Sequence, residues 1–346
     1  MRIRILSLAL LLVVLLAPRI GLAGDEERQG TGGASWLRIP VGARALAIGG
    51  ATVADVEGAD AVFWNPAGLA HNEGREVLYS YTDYFADMKF NTLSFVTRAG
   101  NGHLGASIWL LDVGDIIVTT EAAPDGTGEV ISPTLSSVGV SYARLLTDRV
   151  LVGGTVNLIH ERILQETAEG VAFDLGFQYL LGAQGLEFGL VIKNLGPQMK
   201  YSGGDLERRF LPGDGDPSSR RRTFAAQTAG FELPSHLSLG ASYKLFENAQ
   251  SRFLLNGDFQ SNSFSGDEFR GGAEYAYRDM LFLRSGWNQA NQDDYLFSGP
   301  GLGVGVSFDI GESKARIDYA RTLGSTDSLI GDLFGDLNTL SLSYSF

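Results

Sequence analysis

From Glu76 to the end of the chain, short segments alternate large apolar side chains with small or polar ones. Val171, Phe173, Leu175, Phe177, Tyr179 and Leu181 share one face of such a segment. In another, Leu302, Val304, Val306, Phe308 and Ile310 oppose Gly301, Gly303, Gly305, Ser307 and Asp309. A period of two belongs to a β-strand, whose successive side chains leave on opposite sides. Fourteen strands are expected, near 76–84, 89–99, 102–111, 133–144, 150–162, 170–181, 185–194, 235–246, 251–260, 268–278, 280–287, 300–310, 313–322 and 338–346. Their lengths are close to the 9–11 residues that a tilted strand needs to cross a bilayer.

The connections between these segments add a second constraint. Tight turns are expected at 99–101, 146–149, 182–184, 247–250, 278–279 and 311–312. Longer loops fall between them, at 112–132, 163–169, 195–234, 261–267, 288–299 and 323–337, and only the hairpin at 85–88 is short on that side. Outer-membrane barrels pair short periplasmic turns with long outer loops, and a soluble barrel has no reason to keep this parity. An even strand number then leaves both termini in the periplasm. Tyrosines and Trp287 near the strand ends fit an interfacial girdle, although any β-rich chain enriches tyrosine in strands.

The last strand is expected to close the barrel. Leu340, Leu342, Tyr344 and Phe346 point one way, and Ser341, Ser343 and Ser345 the other. Large apolar groups opposite small hydroxyls suit lipid on one side and a polar lumen on the other. Leu342, Tyr344 and the terminal Phe346 also have the look of the signal that barrel-assembly machinery reads.

The first residues read as a targeting segment. Arg2 and Arg4 precede an apolar run from Ile5 to Leu16, and Gly21-Leu22-Ala23 forms a small-x-small cleavage site. A signal peptide over 1–23 is expected, since the run is short for a membrane span of roughly 20 residues. The chain then divides into a leader and plug over 24–75 and a barrel over 76–346.

Composition excludes several classes. With no cysteine, the chain has no disulfide, thiolate metal site or lipidated cysteine. A net charge of −13 opposes nucleic acid as a partner. The histidines at 71, 103, 160 and 236 lack metal-ligand spacing, so no metal or other cofactor is expected. No Gly-x-Ser-x-Gly nucleophile motif sits between a strand and a helix, which points away from an enzyme.

One region departs from the strand pattern. Residues 38–50 read Arg-Ile-Pro-Val-Gly-Ala-Arg-Ala-Leu-Ala-Ile-Gly-Gly, and 61–70 read Ala-Val-Phe-Trp-Asn-Pro-Ala-Gly-Leu-Ala. Short helical turns are expected over 43–48 and 66–69, with Asn65 capping the second and Pro66 at its first position. This block resembles the start of the PorV/PorQ family, which is related to the FadL-type long-chain fatty-acid transporters. Residues 192–197, Ile-Lys-Asn-Leu-Gly-Pro, and the stretch 233–243 resemble the mid-barrel pattern of the same group.

The resemblance implies an all-β, fourteen-stranded transmembrane barrel with a plug in its lumen. Its plug motif maps to Gly42, Arg44, Gly49, Gly50, Asn65, Pro66 and Gly68. Arg44 becomes a lumenal cation, either solvated or paired with one of the inward acids Asp174, Asp258, Glu274, Asp309 and Asp318.

Two functions follow. The first is an accessory in protein secretion, as the PorV branch serves type IX secretion by binding cargo through outer loops. The contact candidates are Arg208, Arg209, Phe210, Arg220, Arg221, Arg222, Phe224 and Phe334. Those arginines equally suit lipopolysaccharide phosphates. The second is FadL-like passive transport of fatty acids or other hydrophobic molecules. A wall strand would then kink at Gly153-Gly154 or Gly271-Gly272, or the plug would move.

Overall fold

The computed structural model describes residues 32–181, 185–210, 222–290, 298–323 and 336–346. The expected signal peptide and the leader up to residue 31 lie outside the described residues. So do Arg220, Arg221 and Phe334.

Fourteen antiparallel strands close into one barrel. They are β1 (Glu76–Asp83), β2 (Lys89–Ala99), β3 (Gly102–Asp112), β4 (Thr134–Thr147), β5 (Val150–Ile163), β6 (Glu166–Leu180) and β7 (Leu186–Leu195). The second half comprises β8 (His236–Glu247), β9 (Ser251–Asn262), β10 (Glu268–Tyr277), β11 (Leu281–Ala290), β12 (Gly299–Ile310), β13 (Ser313–Thr322) and β14 (Leu337–Ser345). Each pairs with its neighbours in sequence, and β1 pairs with β14 in the register Val77↔Tyr344. Closure leaves no open sheet edge.

The alternation in sequence becomes the two faces of the wall. On β14, Leu340, Leu342 and Tyr344 are about 40% exposed outward, whereas Ser341 and Ser343 are buried. Leu158, Leu175 and Leu283 are each more than half exposed on the outside. Such a band of aliphatic side chains is what lipid-facing barrels carry.

Three expectations need correction. The stretch 163–169 is not a long loop. β5 and β6 extend until only Leu164 and Gln165 separate them, with Leu164 at φ 57°. The paired glycines are not kinks either. β5 and β10 run through Gly153-Gly154 and Gly271-Gly272 without a register shift, and Gly153 and Gly272 admit plug backbone from inside the lumen. Finally, Asp309 is exposed near the tight-turn end, where Asp174, Asp258, Glu274 and Asp318 are buried.

A fourteen-stranded barrel is too wide for its own side chains to fill. Residues 34–70 fill it instead, folded as a turn (Ser35–Arg38), α1 (Ala43–Ala47), a turn (Gly58–Asp60), α2 (Ala61–Trp64) and a turn (Pro66–His71). Ala43, Ala47, Ile48, Ala59, Ala61 and Leu69 have no accessible surface. Small side chains on both partners let backbone pack on backbone. A Cβ on Gly176 would lie 2.1 Å from Asn65 Oδ1, and one on Gly153 2.4 Å from the Pro66 carbonyl carbon.

Candidate functional site

The plug motif residues lie where the plug meets the wall or turns on itself. Asn65 caps the Pro66–His71 turn by accepting from the Ala67 amide at 3.2 Å. Its Nδ2 donates to the carbonyls of Val53 at 2.8 Å and Phe177 at 3.1 Å, tying plug to β6. Gly42 precedes α1 beside Asp60, and Gly68 lies against the Val56 carbonyl. Gly49, with Gly50 following, ends α1 at φ 68° with its Cα against the Trp287 backbone. That combination of left-handed backbone and close approach suits glycine alone.

Arg44 is paired. Its Nη2 lies 2.6 Å from Asp55 within the plug, and its Nε lies 3.2 Å from Glu274 on β10. Burial alone would lower its pKa, but Asp55 and Glu274 raise it well above the usual value. The charge is therefore permanent and structural. Further bonds hold the plug elsewhere: the amides of Thr52 and Val53 donate to Asp258, and Gln178 donates to the carbonyls of Val53 and Val56. Lys193 donates to the Phe63 carbonyl and lies 5.5 Å from the Trp109 ring centroid. Two voids flanking the plug measure about 40 and 20 Å3, room for a few waters.

At the long-loop end an apolar cavity of about 600 Å3 opens above the plug. Trp36 and Ile39 form its plug side, Tyr84, Phe85 and Met88 come from the β1–β2 hairpin, and Leu135 from β4. Its two charged side chains are both committed. Arg38 Nη2 lies 3.1 Å from Glu268, and Glu161 accepts from Trp36 and Tyr201. An apolar concavity of this size with few polar groups is the usual form of a small-molecule site.

Beside this cavity the wall is interrupted. β6 pairs with β7 as far as Phe173↔Leu195, and with Tyr201–Gly203 from Tyr201↔Ala168 onward. Residues 196–200 leave the ladder between these points. The departure starts at a register shift opposite Asn194, which adopts φ 57° and gives its amide to Asp174 Oδ1 at 2.8 Å. A groove of about 660 Å3 lies there on the outer face, over Val138, Leu158 and Val171 and under Pro197 and Gln198. Inside, Met199 closes the gap, packed so tightly that a Cβ on Gly170 would lie 2.6 Å from its Sδ.

Of the loop candidates, the backbone of Arg208, Arg209, Phe210 and Arg222 and the side chain of Phe224 are described. Glu207–Phe210 pairs with Arg222–Ala225 in a separate hairpin, in the register Arg208↔Phe224 and Arg209↔Thr223. Phe224 is 51% exposed and does not line the cavity. Trp36, Glu161 and Tyr201 escaped the sequence reading, although the inward phase of β5 does place Glu161 in the lumen. On β14, Leu342, Tyr344 and Phe346 face outward, and the terminal Phe346 exchanges backbone hydrogen bonds with Arg75 at 2.8 and 2.9 Å.

A closed fourteen-stranded barrel, plugged by its own N-terminal segment, defines the class of fold. No protein-family model matches the chain, and no curated protein matches its sequence. Solved structures do. The CymD monoaromatic hydrocarbon channel shares the fold with TM-score 0.58 at 15% identity, over 89% of this chain and 98% of that one. The toluene transporter TbuX of Ralstonia pickettii gives TM-score 0.57 at 17% identity, over 88% and 97%. A FadL homologue of Pseudomonas aeruginosa gives 0.54 at 13%, over 88% and 98%. At these identities the likeness is one of fold.

Proposed function

We propose that this protein is an outer-membrane channel for passive uptake of small hydrophobic molecules. It is not an enzyme. The observation that carries this reading is the apolar cavity of about 600 Å3 at the long-loop end, set beside an interrupted stretch of wall while the axis below is filled. A solute in the cavity meets the plug if it continues down the axis. It meets residues 196–200, which leave the β6 ladder, if it moves sideways. Moving sideways delivers it to the outer groove, where Val138, Leu158 and Val171 offer apolar surface beside the exposed pair His160 and Glu169. The hydrocarbon channels and the FadL homologue of similar fold support transport over the secretion-accessory reading. The latter rested on the arginines of the 195–234 loop, and none of the similar structures bears on it.

In this reading the tight turns and both termini face the periplasm. The partners are outer-membrane lipid and lipopolysaccharide, the barrel-assembly machinery and a hydrophobic solute.

The experiment is uptake of a small aromatic hydrocarbon and a long-chain fatty acid by cells carrying the protein. Leu135→Trp narrows the cavity and is expected to lower uptake several-fold, since the larger ring occupies space that a bound solute needs. Undiminished uptake in that variant, at equal protein level, overturns the reading. Capture of a secreted protein by the native barrel, with no solute uptake, would restore the accessory role.

A further inference from the structure

We propose that Glu161 is a latch that ties the plug's first turn to the segment closing the gap in the wall. The inference rests on the sideways route above. Glu161, Ala168 and Tyr201 form one cross-strand row on the inner face, in the pairings Glu161↔Ala168 and Tyr201↔Ala168. Ala168 in the middle is small and buried, so the outer two side chains meet over it. Tyr201 Oη donates to Glu161 Oε2. Trp36 Nε1, from the plug, donates to Oε1 at 2.7 Å. One carboxylate, 3% exposed, therefore holds both the plug and the start of the Tyr201–Gly203 strand.

The closing segment has few other anchors. Met199 exchanges two backbone hydrogen bonds of 2.9 Å with Phe231, and Thr228 Oγ1 donates to the Tyr201 carbonyl at 2.6 Å. These join it to the returning part of the same loop, and its backbone ladder with β6 begins only at Tyr201↔Ala168. The Tyr201 and Phe231 rings lie 5.5 Å apart. Both Glu161 donors also line the mouth cavity. A hydrophobic solute that settles there displaces Trp36 or Tyr201 from the carboxylate. A buried carboxylate with half its donors gone is costly, and opening the gap relieves that cost by letting water reach it. The segment 196–200 then swings away from β6, Met199 leaves Gly170, and the cavity joins the outer groove. Occupancy of the mouth is thereby coupled to opening of the wall.

The chain's lack of cysteine makes the test direct. In one arm, Gly170→Cys with Met199→Cys places two thiols across the closed gap. Oxidation is expected to abolish uptake and reduction to restore it. Undiminished uptake through the oxidised lock overturns the sideways route, and the latch with it. In the second arm, Ile159→Cys, buried beside Gly170, reports opening by its rate of labelling with N-ethylmaleimide. Glu161→Gln and Tyr201→Phe are each expected to raise that rate about tenfold, the fold-change for one charge-assisted hydrogen bond. Toluene is expected to speed labelling with Glu161 present and to add little in E161Q. Heat-modifiable gel mobility verifies that each variant is a folded barrel. If the lock blocks uptake but both variants label within twofold of the parent, the route stands and the latch is overturned.

Discussion

Arg44 of the plug and Glu274 of β10 lie 3.2 Å apart, and this pair starts a buried chain of charge that returns to the plug. From Glu274 it passes to Arg284 at 2.6 Å, then Asp318 at 2.6 Å, Arg316 at 2.8 Å and Asp60 of the plug at 3.6 Å. The plug is thus held on the β10–β13 side by ions whose partners are fixed on rigid strands.

Glu274 also contacts Arg252 at 3.4 Å, so its removal leaves three cations short of a carboxylate. Glu274→Ala is expected to destabilise the folded barrel by about 3–5 kcal/mol, the range for breaking a buried pair. Urea unfolding in detergent micelles measures it. A loss below about 1 kcal/mol would mean that lumenal water screens these charges as it does at a surface.

Asp60 gives a pH dependence. Burial raises its pKa above the usual 3.8, and Arg316 only partly offsets this. A carboxyl with a raised folded-state pKa binds its proton more tightly folded than unfolded. Its contribution is therefore fully present below 3.8 and is lost as pH rises through the folded value. Asp60→Asn is expected to flatten the stability profile over the acid side of neutrality and to be well tolerated at pH 7. An unchanged slope between pH 4 and 7 in the unfolding titration, on the order of the usual carboxylate window, would show that Asp60 is not the group responsible.

Gly176 leaves room for the plug's Asn65, whose Oδ1 would lie 2.1 Å from an added Cβ. Gly176→Leu is expected to displace the Pro66–His71 turn and cost about 1–3 kcal/mol by overpacking. The barrel's other contacts are unaffected. Limited proteolysis should cut the plug faster while the wall stays intact, and equal cutting rates would count against this packing.

Phe346 closes the sheet through two backbone hydrogen bonds to Arg75 and a ring stacked 5.6 Å from Tyr344. Deleting it is expected to lower the level of folded protein in the outer membrane several-fold, with uptake per folded barrel unchanged. Fractionation with immunoblotting reads both quantities. Normal levels would remove the terminal residue's role in assembly.

Much of the wall was legible because a lipid-facing strand obeys a local rule. Residues two apart must agree in polarity, so Leu302 to Ile310 reveal their face without reference to any partner. The Asn65–Pro66 turn was legible for the same reason: its cap and first position are adjacent in the chain. The role of Gly153-Gly154 and Gly271-Gly272 was not legible because a glycine pair has the same local signature whether it bends a strand or, as at Gly153 and Gly272, admits another segment's backbone. The cavity was missed because Trp36, Glu161 and Tyr201 are separated by 125 and 40 positions, and no local pattern joins them.

The sequence alone determined the strand number, the face each side chain presents and the closing role of the last nine residues, since period two and turn spacing are properties of neighbours along the chain. Only the tertiary structure decided what fills the barrel's centre, which carboxylates meet Arg44 and where the ladder opens between β6 and β7. Those outcomes depend on strand register and on the depth at which the plug sits. Register is a property of the whole closed barrel, and the buried charges of residues 34–70 are paired both within the plug, as Arg44 with Asp55, and with the wall, as Arg44 with Glu274.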